Sequence, residues 1–203
     1  MDTDECGLRE RKKRQTREDL HRAALDLVEE RGFAAVTTDE IAQRAGVSAR
    51  TFFNYFPSKD AAVLGTQPDD IAELERLIRE HAEDEDPLES LRRVSIAMVA
   101  PAASDPALRA QRRRVLLTEP SLAPALVRRN ITLENALTAA LEDRLGRPRA
   151  SDVRIRVTVA AALGAVRACF EHHQAGAKGD IEDSIDQAFD LLRDGLGVQR
   201  ATP

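Results

Sequence analysis

Aromatic side chains are scarce in this 203-residue chain: it has no tryptophan, one tyrosine and six phenylalanines. Phe52, Phe53, Tyr55 and Phe56 fall within five residues, which predicts one small, specific core at that point. Cysteine is almost missing. Cys6 and Cys169 have neither metal-ligand nor redox spacing, so two unpaired thiols in a reducing compartment are expected. There is no long hydrophobic run. The most apolar stretch, Val157 to Phe170, is interrupted by Arg167 and is too short to cross a bilayer. The N-terminal start is acidic and polar, without the apolar segment of a signal peptide. A cytoplasmic protein with no membrane partner is therefore expected.

Other absences narrow the chemistry. No segment alternates apolar and polar residues as a half-buried strand would, and no internal repeat is visible. No glycine-rich phosphate loop occurs. No histidine is arranged with a cysteine or serine for nucleophilic catalysis, and the acids from Glu83 to Asp86 read as a solvated loop. His172 and His173 are adjacent, a spacing that rarely points two rings at one metal. The chain is read as having no catalytic residues, no metal and no cofactor.

What is present favours helix. Alanine, leucine, glutamate and arginine dominate, and these are strong helix formers. The formal charge is −5, which at first sight argues against a nucleic-acid binder. The average hides a split: residues 9–17 hold six basic groups and one acid, a net of +5, leaving −10 on the rest. A local basic footprint matters more for DNA than global charge. Residues 1–15 are read as a flexible basic arm, with Arg11, Lys12 and Arg14 set to follow phosphates or enter a minor groove.

Beyond the arm, helix signals recur. Thr16 is a candidate cap for a helix whose apolar face is Leu20, Ala23, Ala24, Leu27 and Val28, ended by Gly32. Thr37 and Glu40 form a capping box. The helix they start runs through Ile41 and Ala42, Gly46 makes a tight turn, and Ser48 caps a second short helix ended by Pro57. Ser58 then opens another, with Lys59 in its first turn, where a cation opposes the helix dipole. Further helices are expected over residues 69–80, 87–99, 108–117, 121–145, 152–174 and 181–194, with Pro101 to Pro106 as a loop.

Helix, tight glycine turn, second helix is a motif that projects one short rod into a major groove. The outward side chains on that rod are Ala49, Arg50, Thr51 and Asn54. Arg50 can donate two hydrogen bonds to a guanine edge, and Asn54 can read adenine. Thr51 offers a methyl or a hydroxyl, and Ser48 caps. Thr38 and Tyr55 are better placed for the phosphate backbone, and Lys59 is read as a phosphate contact. Phe52 and Phe56, four apart, belong to the core.

The segment FAAVTTDEIAQRAGVSARTFFNYFPSKDAAV resembles the N-terminal module of the TetR-type transcriptional repressors. The likeness rests on Ile41-Ala42, Ala45-Gly46-Val47-Ser48, Thr51, Tyr55-Phe56 and Lys59, and it covers roughly residues 16–64. It implies an all-α protein with a three-helix DNA module and a larger helical ligand-binding and dimerisation bundle. It also implies a homodimer on a palindromic operator, released when a small molecule binds. At the matching positions it carries DNA contacts to Thr38, Arg50, Thr51, Asn54, Tyr55 and Lys59. Phe53 stands where the family usually has a tyrosine that touches the backbone. RTFFNYFPSK is also similar to an actinobacterial subgroup associated with mycofactocin or fatty-acyl metabolism.

The domain division expected is the arm, a DNA-binding domain over residues 16–57, and a ligand-binding and dimerisation domain over residues 58–200. The helix from Val153 to Gln174 is apolar on nearly every side, as if it met both its own core and a neighbour. With the stripe on the last helix, it predicts a four-helix dimer seam of Val159, Val166, Phe170, Ile185, Phe189 and Leu192. Candidate pocket residues are Met98, Leu117, Asn130, Glu134, Leu137, Arg156, Leu163, Arg167 and Cys169, an apolar lining with polar points. Arg156 and Arg167 are either anchors for an acidic head or members of salt bridges. The effector expected is a small molecule, apolar or acid-headed. A ligand-released repressor is the leading reading. An activator or constitutive DNA-binding protein without inducer is the alternative, and a small helical enzyme or lipid carrier the third.

Overall fold

A computed structural model describes residues 3–65, 68–80, 85–103, 105–147 and 152–195. The side chains of Cys6 and Arg9, and residues Glu83 and Asp84, lie outside what is described. Among the described residues every regular element is helical: α1 (Thr3–Arg31), α2 (Thr38–Arg44), α3 (Ala49–Tyr55), α4 (Lys59–Leu64), α5 (Pro68–Arg79), α6 (Pro87–Ala103), α7 (Pro106–Thr118), α8 (Ala123–Arg144), α9 (Val153–Gln174) and α10 (Ile181–Asp194). No described helix is long and apolar enough to cross a membrane.

The boundaries follow from the caps. Thr37 and Glu40 exchange side-chain and backbone hydrogen bonds at the start of α2, a complete capping box. Ser48, Ser58, Asp152 and Asp180 cap α3, α4, α9 and α10 through their side-chain oxygens. Three expectations change. The basic run lies within a helix, since α1 is continuous from Thr3 to Arg31. Thr16 is no cap: its hydroxyl donates back to the Lys12 carbonyl, 3.0 Å away, inside the helix. The Arg14–Glu18 pair at 4.0 Å and the Gln15–Asp19 hydrogen bond at 2.9 Å continue the winding through this stretch. The expected 101–106 loop is also shorter, since α6 reaches Ala103 and α7 starts at Pro106.

The chain divides into two compact units. The first comprises Met1–Asp70 with Pro106–Arg129, and the second Ile71–Asp105 with Asn130–Pro203. Compactness thus draws a different line from the division at residue 57. The first unit packs Leu20, Ala24, Leu27 and Val28 of α1 against Ile41, Ala42, Phe52, Phe56, Val63, Val115 and Leu122. The second packs Ile78, Leu91, Val94, Leu137 and Leu141 around Val159, Ala162 and Val166 of α9 and Ile181, Ile185 and Phe189 of α10. Arg92 of α6 fastens α10 through Asp186 at 2.7 Å.

Candidate nucleic-acid interface

The recognition rod is positioned from beneath. Phe52 and Phe56 are fully buried, their ring centroids 6.1 Å apart, and they hold α3 against α1 and α2. Gly46 adopts φ +70°, the left-handed turn conformation that glycine takes at little cost. The turn is closed by Gly46 N–H donating to the Gln43 carbonyl at 3.0 Å and Val47 N–H to the Ala42 carbonyl at 2.9 Å. Burying positions 52 and 56 turns Arg50 and Asn54, one helix turn apart, to the opposite side, and both are exposed together with Phe53 at the flank.

Arg50 and Asn54 therefore stand where the sequence put them. Ser48 is exposed and accepts the Thr51 N–H at 3.1 Å, and the two hydroxyls lie 2.8 Å apart. Ala49, Thr51 and Tyr55 of α3 and Thr38 of α2 are half-buried. Arg11, Lys12 and Arg14 are exposed on α1. The basic groups behind the rod are already paired: Arg44 with Glu30 and Arg31 with Glu40, each at 2.9 Å. The Thr37 hydroxyl, the Arg31 guanidinium and the Thr37 N–H hold the Glu40 carboxyl down at about 2, so the cap stays ionised.

Lys59 corrects its expected role. Its ammonium donates to the carbonyls of Phe33 and Val36, both at 2.6 Å, and lies 4.2 Å from the Phe33 ring centroid. Two of its three donors are spent on that turn, so Lys59 clasps it and keeps one N–H beyond these two bonds. Phe53 is 55% exposed, its ring edge-on to Phe52 at 5.3 Å. On a helical wheel position 53 flanks the 52 and 56 pair rather than opposing it, so its exposure is not written in local spacing.

The expected effector pocket does not assemble. Leu137 and Cys169 are buried and Met98 and Leu163 half-buried, all packed in or against the second unit's core. Burial raises the Cys169 thiol, whose sulfur donates to the Ser184 carbonyl at 3.3 Å. Asn130 is exposed, and Leu117, 69% exposed, belongs to the first unit. Arg156 bonds Asn135 at 3.2 Å and pairs with Glu134 at 3.7 Å, so its salt-bridge reading holds. The Arg167 side chain is 76% exposed beside Glu171. A half-open cavity of about 250 Å³ lies elsewhere in the unit, between Pro87, Leu141, Leu145, Arg147, Asp152, Arg154, Ile155 and Thr158.

The residues of the expected seam divide. Val159, Val166, Ile185 and Phe189 are buried in their own unit, and Phe170 and Leu192 are half-buried. The opposite face of α9 is the bare one, with Val153, Val157, Ala160 and Ala168 exposed and Gly164 half-buried, and Leu191 is exposed on α10. Among the described residues no cluster of histidine, cysteine or acid suits a metal ion.

Comparison with known proteins agrees with this geometry. Residues 20–64 match the family described as bacterial regulatory proteins, tetR family, and residues 85–197 match the MftR C-terminal domain. The transcriptional regulator TcmR of Streptomyces glaucescens is 30% identical over 94% of this chain and 86% of its own length. MftR of Mycobacterium tuberculosis, assigned by name to the regulation of mycofactocin biosynthesis, is 25% identical over 85% of this chain and 87% of its own. Among solved structures, SmeT, repressor of a multidrug efflux pump of Stenotrophomonas maltophilia, shares the fold with a TM-score of 0.51 at 19% identity, covering 92% of this chain and 95% of that one.

Proposed function

We infer the function from one premise: this chain belongs to the TetR family, so it is a helix-turn-helix, DNA-binding transcriptional regulator and not an enzyme. Our reading of its action is a homodimeric repressor that sits on a near-palindromic operator and is released by a small-molecule effector. The observation that carries the DNA side is the exposed Arg50, Phe53 and Asn54 face of α3, held out by the buried Phe52 and Phe56. Two such rods, about 34–36 Å apart in a dimer, would meet successive major grooves on one side of a duplex.

Within that reading, Arg50 recognises a guanine edge and Asn54 an adenine, while Ser48, Ala49, Thr51, Thr38 and Tyr55 supply backbone and methyl contacts. Arg11, Lys12 and Arg14 add a sequence-independent electrostatic component. The seam is reassigned to the bare α9 face, from Val153 through Val157, Ala160 and Gly164 to Ala168, with Leu191 of α10. Small residues along a helix let two copies approach closely.

The test is selection of genomic fragments by the purified protein, followed by footprinting of the selected site. Two protected half-sites about one helical turn apart are expected. Arg50→Ala should relax discrimination at one position per half-site by about 1–3 kcal/mol. Selection of no common sequence, or a variant with unchanged discrimination, would overturn the assignment.

A further inference from the structure

We propose that Phe53 of α3 reads the 5-methyl group of a thymine in each half-site of the operator. The contact rests on the DNA-binding reading above and adds to it a chemistry that Arg50 and Asn54 do not have. Of one tyrosine and six phenylalanines, all of them described, Phe53 alone is exposed. Phe52, Phe56 and Phe189 are fully buried, and Phe33, Tyr55 and Phe170 are half-buried. The fold shelters every other ring at least in part and leaves this one in water, where its apolar surface stabilises nothing until an apolar group covers it.

The place of Phe53 on the helix limits what can cover it. Each residue of an α-helix turns the chain by about 100°. Phe52 and Phe56 define the buried side of α3, and the opposite side is centred between Arg50 and Asn54. Phe53 lies about 80° to one side of that centre and Thr51 about 80° to the other. The band around the outer half of the rod therefore runs Phe53, Arg50, Asn54, Thr51. Thr51 is half-buried with its hydroxyl 2.8 Å from that of Ser48, whereas Phe53 is 55% exposed. A rod that enters a major groove with Arg50 and Asn54 toward the base edges carries the phenyl in with them.

Inside that groove the partners differ in how they suit a phenyl. Phosphate oxygens ask for a donor, and the ring has none. Guanine, adenine and cytosine edges are written in donors and acceptors, and the thymine methyl is the apolar group among them. Covering that methyl with the ring removes apolar surface from water on both sides. The ring is also held in advance. It stands edge-on to Phe52, with centroids 5.3 Å apart and planes at 86°, and Phe52 is itself locked in the core. A side chain already positioned loses less rotamer freedom when the contact forms. Positions 50 and 53 are neighbours on the helix surface, so the thymine lies within about two base pairs of the base that Arg50 reads, at about 3.4 Å per step.

The experiment uses the full chain and duplexes that carry the selected operator, labelled for fluorescence anisotropy. Each thymine in turn is replaced by uracil at the same place in both half-sites; uracil keeps the pairing and the O4 acceptor and lacks the methyl. One thymine near the Arg50-sensitive position should respond, its loss of methyl weakening the parent by about three- to fivefold per half-site. Phe53→Ala should bind the thymine and uracil duplexes alike at that position, with the salt slope of the parent, since no phosphate contact is removed. Should Phe53→Ala not fold, Phe53→Gln, which removes the ring and keeps a side chain over Phe52, decides in its place and should lose the same preference. The contact is overturned if no thymine responds, if the variant keeps the parental preference for the methyl, or if its salt slope falls. Footprinting of the parent is run in parallel. Two protected half-sites without a methyl preference remove this contact alone, whereas the absence of a common bound sequence removes the regulator reading itself.

Discussion

Lys59 opens a helix, where a positive charge opposes the dipole, and the Phe33 and Val36 carbonyls 26 and 23 residues upstream explain why it is there. Replacing it with methionine keeps most of the stem and removes both hydrogen bonds. Lys59→Met should cost about 2–3 kcal/mol of stability, read as a lower melting temperature, while the salt slope of DNA binding stays that of the parent. A slope reduced by about one counterion with no change in melting would restore the phosphate role instead. The contrast with Ser48, Phe52 and Phe56 shows what is legible at this scale. A cap bonds to a backbone three residues away, and a core pair lies one turn apart, so both are written in local spacing. The partners of Lys59 are set by chain segments distant in sequence, and no window of residues contains them.

Between α1 and α4 the decisive group is His21. Burial lowers its pKa from 6.5 to about 4, with the hydrogen bond to the Ala62 carbonyl acting against it and the charges of Arg112, Arg17 and Arg22 acting with it. The folded ring thus holds its proton less tightly than an unfolded histidine, and the unfolded chain binds more protons between about pH 4 and 6.5. Stability from this group is fully present above that window and is lost as pH falls through it, by at most about 3 kcal/mol. His21→Gln, whose amide N–H can still meet Ala62, should flatten the melting profile between pH 6.5 and 5. A variant that keeps the parental fall, or a parent without one, would count against it. Gly65, which ends α4 at φ +66°, lies against this ring: a Cβ there would come within 3.0 Å of His21 Cε1. Gly65→Ala should therefore destabilise the pair of helices through both backbone strain and the clash, by about 1–3 kcal/mol on thermal melting. Helix positions were readable almost throughout because caps and apolar periodicity agree. The facing of α9 was not. A helix apolar on every side carries no moment to say which face turns to its own core, and residues 155, 159, 162 and 166 won that face only through packing with α6 and α10.

At the scale of the whole molecule, the same helix separates folding from assembly. Val157 is 58% exposed and Val159 is fully buried, two residues apart on opposite faces. A charge on the first changes only what a second copy would meet, whereas a charge on the second enters the core and unfolds the unit, since an unpaired buried ion is among the costliest of substitutions. Val157→Arg should keep the parental helical content and melting cooperativity yet sediment as a monomer at micromolar concentration. It should lose affinity for the two-half-site operator far more than for a single half-site, because one rod alone gives up the second set of contacts. Val159→Arg should instead lose its cooperative melt. If Val157→Arg remains dimeric by sedimentation, the bare face of α9 is not the seam. If it is monomeric but still protects both half-sites at parental affinity, pairing through this face is not what brings two recognition helices to one operator.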